Sequence, residues 1–162
     1  MKWTVLFLFI FTFIKADEIP KIKDELYITT YFHSFHWTRN ESTGEKYNNT
    51  HKAFGIEYIN AKHYSLSYNH FINSRGKDVD VYGAGYLLHF NDSFGLHLIG
   101  GYQEGYCFNG LLNSIECTEG SNNKSAFLLP LIYYKHEYFK LDLFTNSDML
   151  ALRFNIKITD LF

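Results

Sequence analysis

The chain has 162 residues, of which 19% are aromatic and only 20% charged, with a net charge of −2 and a mean hydropathy of −0.20. A balance this near neutral gives nucleic-acid binding no electrostatic support. The 13 tyrosines and 16 phenylalanines exceed what one soluble core of this size requires, yet no later apolar run is long enough for a membrane helix, so the aromatics belong on strands.

The first residues, MKWTVLFLFIFTFIKADE, set Lys2 before an apolar run from Trp3 to Ile14 and end on Ala16 ahead of Asp17 and Glu18. That is the pattern of a secretory signal peptide over 1–16, with 17–162 forming a single domain. The apolar run is too short to serve comfortably as an uncleaved anchor. The charged stretch from Asp17 to Glu25, broken by Pro20, reads as a strap or a frayed helical turn.

Leu26 to Arg39 is the first strand. Tyr27, Thr29, Tyr31, His33, Phe35 and Trp37 share one parity, and Leu26, Ile28, Thr30, Phe32, Ser34 and His36 the other. Both faces are partly apolar, so parity alone leaves its inward face open. After a polar loop from Asn40 to Lys52, Phe54, Ile56 and Tyr58 alternate with Gly55, Glu57 and Ile59 in a second strand.

Tyr64 to Phe90 is a hairpin around the Gly76 turn. Tyr82, Ala84, Tyr86, Leu88 and Phe90 alternate with Gly83, Gly85, Leu87 and His89, so large aromatics line one face and small or polar groups the other. Runs of about 9 to 11 residues suit a tilted strand crossing a bilayer. Strand five starts at Phe94, strand six covers Ala126 to Tyr134, strand seven Tyr138 to Phe144, and strand eight Leu150 to Ile158. Pro130 lacks a ladder donor and marks a gapped pairing in strand six.

Eight strands with both ends on one side, and longer connections after strands one, three and five, predict an all-β fold. It is an eight-stranded antiparallel up-and-down transmembrane β-barrel in a bacterial outer membrane, with the Asn40, Asn73 and Cys107 loops extracellular. Glu57, Lys140, Asp142, Arg153, Asn155 and Lys157 then form a polar plug in the lumen. Cys107 and Cys117 share one polar loop, where an oxidising compartment favours a disulfide. That loop has no His and only Glu116 and Glu119 as further strong ligands, so no metal is expected. No other cofactor is implied.

The order of local patterns adds a family resemblance. A His in strand one is followed by Lys46-Tyr47-Asn48, Phe54-Gly55, Tyr68 with a polar-Ser turn, Tyr82-Gly83-Ala84-Gly85-Tyr86, and Leu128-Leu129-Pro130-Leu131. From about Leu26 to Ile158 the chain thus resembles the lipid A palmitoyltransferase (PagP) superfamily of outer-membrane barrels. The resemblance implies a monomer in contact with membrane lipids that transfers an acyl chain from phospholipid to lipid A. It implies a catalytic His on strand one and an Asp-Ser pair at the outer end of strand three. The His falls on His33, or on His36 if the register slips, and the Ser falls on Ser74. The Asp position holds Asn73, which can orient a hydrogen bond but carries no charge. Tyr31, Phe35 and Trp37 line an acyl pocket if His33 points inward; otherwise they sit in the interfacial belt.

Other readings stand beside this one. Asn73 and Ser74 are ordinary turn residues, and a His in an aromatic strand is commonly packed or interfacial. A lipid A deacylase-like hydrolase is a poor match, because Phe71, Ile72 and Asn73 separate His70 from Ser74. A non-catalytic barrel whose outer loops bind a partner or block surface access is the competing class.

Overall fold

The computed structural model describes residues 23–37, 49–74, 76–105, 124–145 and 149–161. Its strands are β1 (Asp24–His36), β2 (Thr50–Ile59), β3 (Tyr64–Ile72), β4 (Asp78–His89), β5 (Phe94–Glu104), β6 (Lys124–Lys135), β7 (Phe139–Thr145) and β8 (Met149–Leu161). Each pairs antiparallel with its sequence neighbour, and β1 pairs with β8 to close the barrel. The expected signal segment and the Cys107–Cys117 loop lie outside the described residues.

The alternation puts polar groups inside and apolar groups outside. Leu66 is 62% exposed and Phe54 61%, whereas Glu57, Lys140, Asp142 and Asn155 are fully buried. Water would penalise that outer face, and hydrocarbon would not. This is the composition of a membrane-spanning β-barrel of the outer-membrane class.

The small residues on the inward parity of β4 make the lumen fillable. A Cβ on Gly85 would fall 2.6 Å from His97 Nε2 and 2.8 Å from Ser65 Oγ, so glycine there leaves room for the 2.7 Å Ser65–His97 hydrogen bond. At mid-height the lumen is plugged by ions. Lys140 Nζ lies 2.5 Å from Glu57 and 3.2 Å from Asp142, and Arg153 bridges the same two carboxylates at 3.2 and 2.7 Å. Asn155 Nδ2 donates to Asp142 at 2.8 Å while its carbonyl accepts from Thr29 Oγ1 at 2.7 Å. Two acids and two bases leave no uncompensated charge, as sealed ions require. Lys157, expected in this plug, instead joins Lys135 on Glu25, each at 3.0 Å, nearer the short-turn end.

Two irregularities shape the opposite, long-loop end. Thr29 and Phe32 both contribute to the lumen although three residues apart, which a regular strand forbids. A β-bulge resolves this, with the register shifting between Thr29 and Tyr31 against both β2 and β8. Beyond it the even-numbered residues of β1 face inward. Secondly, β6 pairs with β5 from Lys124 to Tyr134 but with β7 only from Ile132 to Lys135. Among the described residues the β6–β7 ladder thus stops at Ile132 and Leu143, just short of Pro130, as a missing amide donor favours.

Candidate functional site

Above the ionic plug the lumen is mainly apolar, with Asn69 and Gln103 also in its wall. A cavity of about 120 Å³ is lined by Phe32, Phe71, Ile99, Phe127, Leu129 and Phe144 among others, and reaches Arg153 and Asp142 at its floor. Phe32 and Phe71 stack with ring centroids 5.1 Å apart, and Phe144 lies 6.0 Å from Phe32. The part of β6 that pairs with β5 but, among the described residues, not with β7 carries Phe127 and Leu129 of this wall.

At the long-loop end beside these rings, β1, β2 and the β3–β4 turn each supply polar groups. His36 Nε2 lies 2.8 Å from Ser74 Oγ and 3.0 Å from Ser34 Oγ. Ser34 Oγ lies 2.7 Å from His51 Nε2, and His51 Nδ1 donates to the Ile72 carbonyl at 2.7 Å. Ser34 and His51 are buried, while His36 and Ser74 are half-buried. The His51 ring stands 5.4 Å from that of Phe32, its register partner across β1 and β2. Polar cluster and apolar cavity are thus contiguous.

The turn geometry explains how Ser74 comes to be there. Asn73 Oδ1 accepts the Lys77 amide at 3.0 Å, and the Asn73 carbonyl accepts the Gly76 amide at 3.0 Å. Gly76 at φ 75° completes the reversal in a conformation that favours glycine. Asn73 is therefore a turn-former through its side-chain carbonyl.

The structure does not bring His33 to Ser74. Past the bulge His33 takes the outward parity, with Nδ1 3.2 Å from the Tyr31 hydroxyl and the two rings stacked. It is His36 that meets Ser74. Tyr31, Phe35 and Trp37 are 40%, 58% and 51% exposed, so they clothe the outer surface and do not line the cavity. His70 and Ser74 are not brought together either. His70 lies on the outer parity of β3, 3.0 Å from Asp80 and 3.6 Å from Asp78.

No family model matches the sequence, and no curated protein matches it. Solved structures similar in outline include the Yersinia pestis outer membrane protein Ail in a phospholipid bilayer nanodisc, at 12% identity and a TM-score of 0.44, covering 84% of this chain and 99% of that one. The N-terminal β-barrel domain of Pseudomonas aeruginosa OprF is similar at 11% identity and a TM-score of 0.43, covering 86% of this chain and all of that domain. Likeness this distant assigns neither family nor activity.

Sequence reasoning missed Ser34 and His51. Ser34 follows the bulge, and His51 was counted with the polar loop. The signal for His51 was present, since His51, Ala53, Gly55 and Glu57 continue one parity against Lys52, Phe54, Ile56 and Tyr58. Among the described residues no group of three or more His, Cys, Asp or Glu is placed to hold a metal ion.

Proposed function

We propose that the barrel resides in a bacterial outer membrane and moves an acyl chain of a membrane lipid, with Ser74 as nucleophile and His36 as base. The observation that carries this reading is the 2.8 Å contact between Ser74 Oγ and His36 Nε2 beside an apolar cavity. A hydroxyl becomes a useful nucleophile when a positioned imidazole takes its proton, and an acyl chain needs an apolar recess near that hydroxyl. Among the described residues β6 has no β7 partner before Ile132, and this is the stretch at which such a chain would enter laterally from the bilayer.

In the first half-reaction Ser74 Oγ attacks the ester carbonyl and its proton passes to His36 Nε2. The lipid's C–O bond then breaks, and its alcohol leaves with that proton. In the second, a hydroxyl of lipid A attacks the acyl-Ser74 ester and gives its proton to His36, the acyl carbon–Oγ bond breaks, and Ser74 Oγ takes that proton back from His36. Water in place of that hydroxyl makes the same site a hydrolase. The resemblance to the PagP superfamily supports this reading in its use of a first-strand His and a Ser after strand three, with His36 rather than His33 in the first role.

The test is purified barrel reconstituted in phospholipid vesicles containing lipid A, with products followed by mass spectrometry. Transfer or release of one acyl chain by wild type and not by Ser74→Ala supports the reading. Products formed equally by both overturn it.

A further inference from the structure

We propose that Ser34 and His51 are positioning residues that favour the protonated form of His36 by holding a hydroxyl oxygen as an acceptor against its Nε2. This rests on the reading of Ser74 and His36 as nucleophile and base.

A neutral imidazole has one N–H, and His51 spends it on the Ile72 carbonyl, where only a donor fits. His51 Nε2 is thereby an acceptor. The Ser34 hydroxyl, 2.7 Å away, must donate to it. A hydroxyl has one hydrogen and two lone pairs, so Ser34 has only lone pairs left for His36 Nε2 at 3.0 Å. Ser34 cannot compete with Ser74 to protonate that nitrogen.

The consequence falls on the two states of His36 differently. The base form of His36 is its Nδ1–H tautomer, in which Nε2 accepts from Ser74 at 2.8 Å and faces a Ser34 lone pair across 3.0 Å, an unfavourable contact that also favours the opposite tautomer at rest. Once it has taken the Ser74 proton, the same oxygen becomes an acceptor for a charged N–H, a stronger bond. Ser34 therefore favours the protonated intermediate, and His51 keeps Ser34 turned the right way. The site has Asn73 where a carboxylate would stand in the family pattern, and this buried pair supplies a neutral acceptor for the Nε2–H of His36. The titratable neighbours that act on His51 are His36 and, on the outer parity of β1, His33.

The experiment combines side-chain ¹⁵N NMR of the folded barrel in nanodiscs with steady-state kinetics in phospholipid and lipid A vesicles. Wild-type His51 is expected as the Nδ1–H tautomer. Ser34→Ala is expected to lower kcat about ten- to a hundredfold with KM unchanged, and to move the acid limb of the pH–rate profile to lower pH. His51→Phe should match it. His51→Gln, which can still donate to a carbonyl and accept from Ser34, should restore most of the rate. An Nε2–H tautomer for His51, or a Ser34→Ala enzyme with wild-type kcat and pH profile while Ser74→Ala is dead, overturns the relay and leaves the nucleophile assignment standing. A wild type inactive on both lipids, or a His36 whose resting hydrogen is on Nε2 alone, removes the nucleophile reading and the relay with it.

Discussion

His36 and Ser74, 38 residues apart in the chain, meet with Nε2 and Oγ 2.8 Å apart. The bulge in β1 makes this possible, since without it His36 would share the outward parity of Thr30 and Ile28. Removing the imidazole should therefore cost the chemistry while sparing the barrel. His36→Ala is expected to lower turnover by about 10²- to 10⁴-fold, the usual value of a positioned general base. His33→Ala, altered on the outer face, should retain wild-type rates in the same vesicle assay.

The cavity makes a second prediction, about chain length. At about 120 Å³ it is smaller than the roughly 300 Å³ at which drug-sized ligand pockets begin. It thus takes a short chain, or the end of a longer one. Phe32→Ala removes a ring from its wall and should shift preference toward longer acyl chains, read as relative rates on a chain-length series. Phe32 is half-buried, so the stability cost should be at most about 3 kcal/mol.

How much of this was legible in the sequence depends on where two faces differ. In β4, Tyr82, Ala84, Tyr86 and Leu88 against Gly83, Gly85, Leu87 and His89 state inside and outside plainly, and the barrel follows. The charges of β7 and β8 were likewise readable, because Lys140, Asp142, Arg153 and Asn155 share one parity in each strand. In β1 both parities carry aromatics and hydroxyls, so the phase change after Thr29 left no mark in composition. It depends on tertiary partners, with Thr29 held by Asn155 and Phe32 by Phe71. The inward-facing histidine of β1 is therefore His36, the register alternative, and not His33.

The ionic plug should behave as one unit. Lys140→Met strands Glu57 and Asp142 with Arg153 as their one remaining full cation among the described contacts, and should destabilise the barrel by about 3–5 kcal/mol. Adding Glu57→Gln should recover much of that loss. Urea unfolding in lipid vesicles measures both, and an additive double variant would contradict coupling.

Acid should weaken the short-turn end. His63, in the turn between β2 and β3, donates or accepts at 2.8 Å with His89 and is buried. Burial first, and the Lys135 ammonium second, hold its imidazole below the ordinary value of 6.5. The unfolded chain thus binds this proton more readily, so the contribution of His63 is complete above pH 6.5 and is lost as pH falls below it. His63→Asn, which tolerates the φ of 69° found there, should flatten unfolding free energy against pH in that window.

The central claim is that the His36–Ser74 site acts on lipids, and the most direct measurement is mass spectrometry of lipid A and phospholipids from cells expressing wild type, Ser74→Ala, His36→Ala and His33→Ala. Heat-modifiable gel mobility first establishes that all four fold. The account predicts a change of one acyl chain with wild type and His33→Ala, and none with Ser74→Ala or His36→Ala. Unchanged lipids with all four proteins, or a change that persists in Ser74→Ala, would contradict it and leave the barrel as a scaffold for its outer loops.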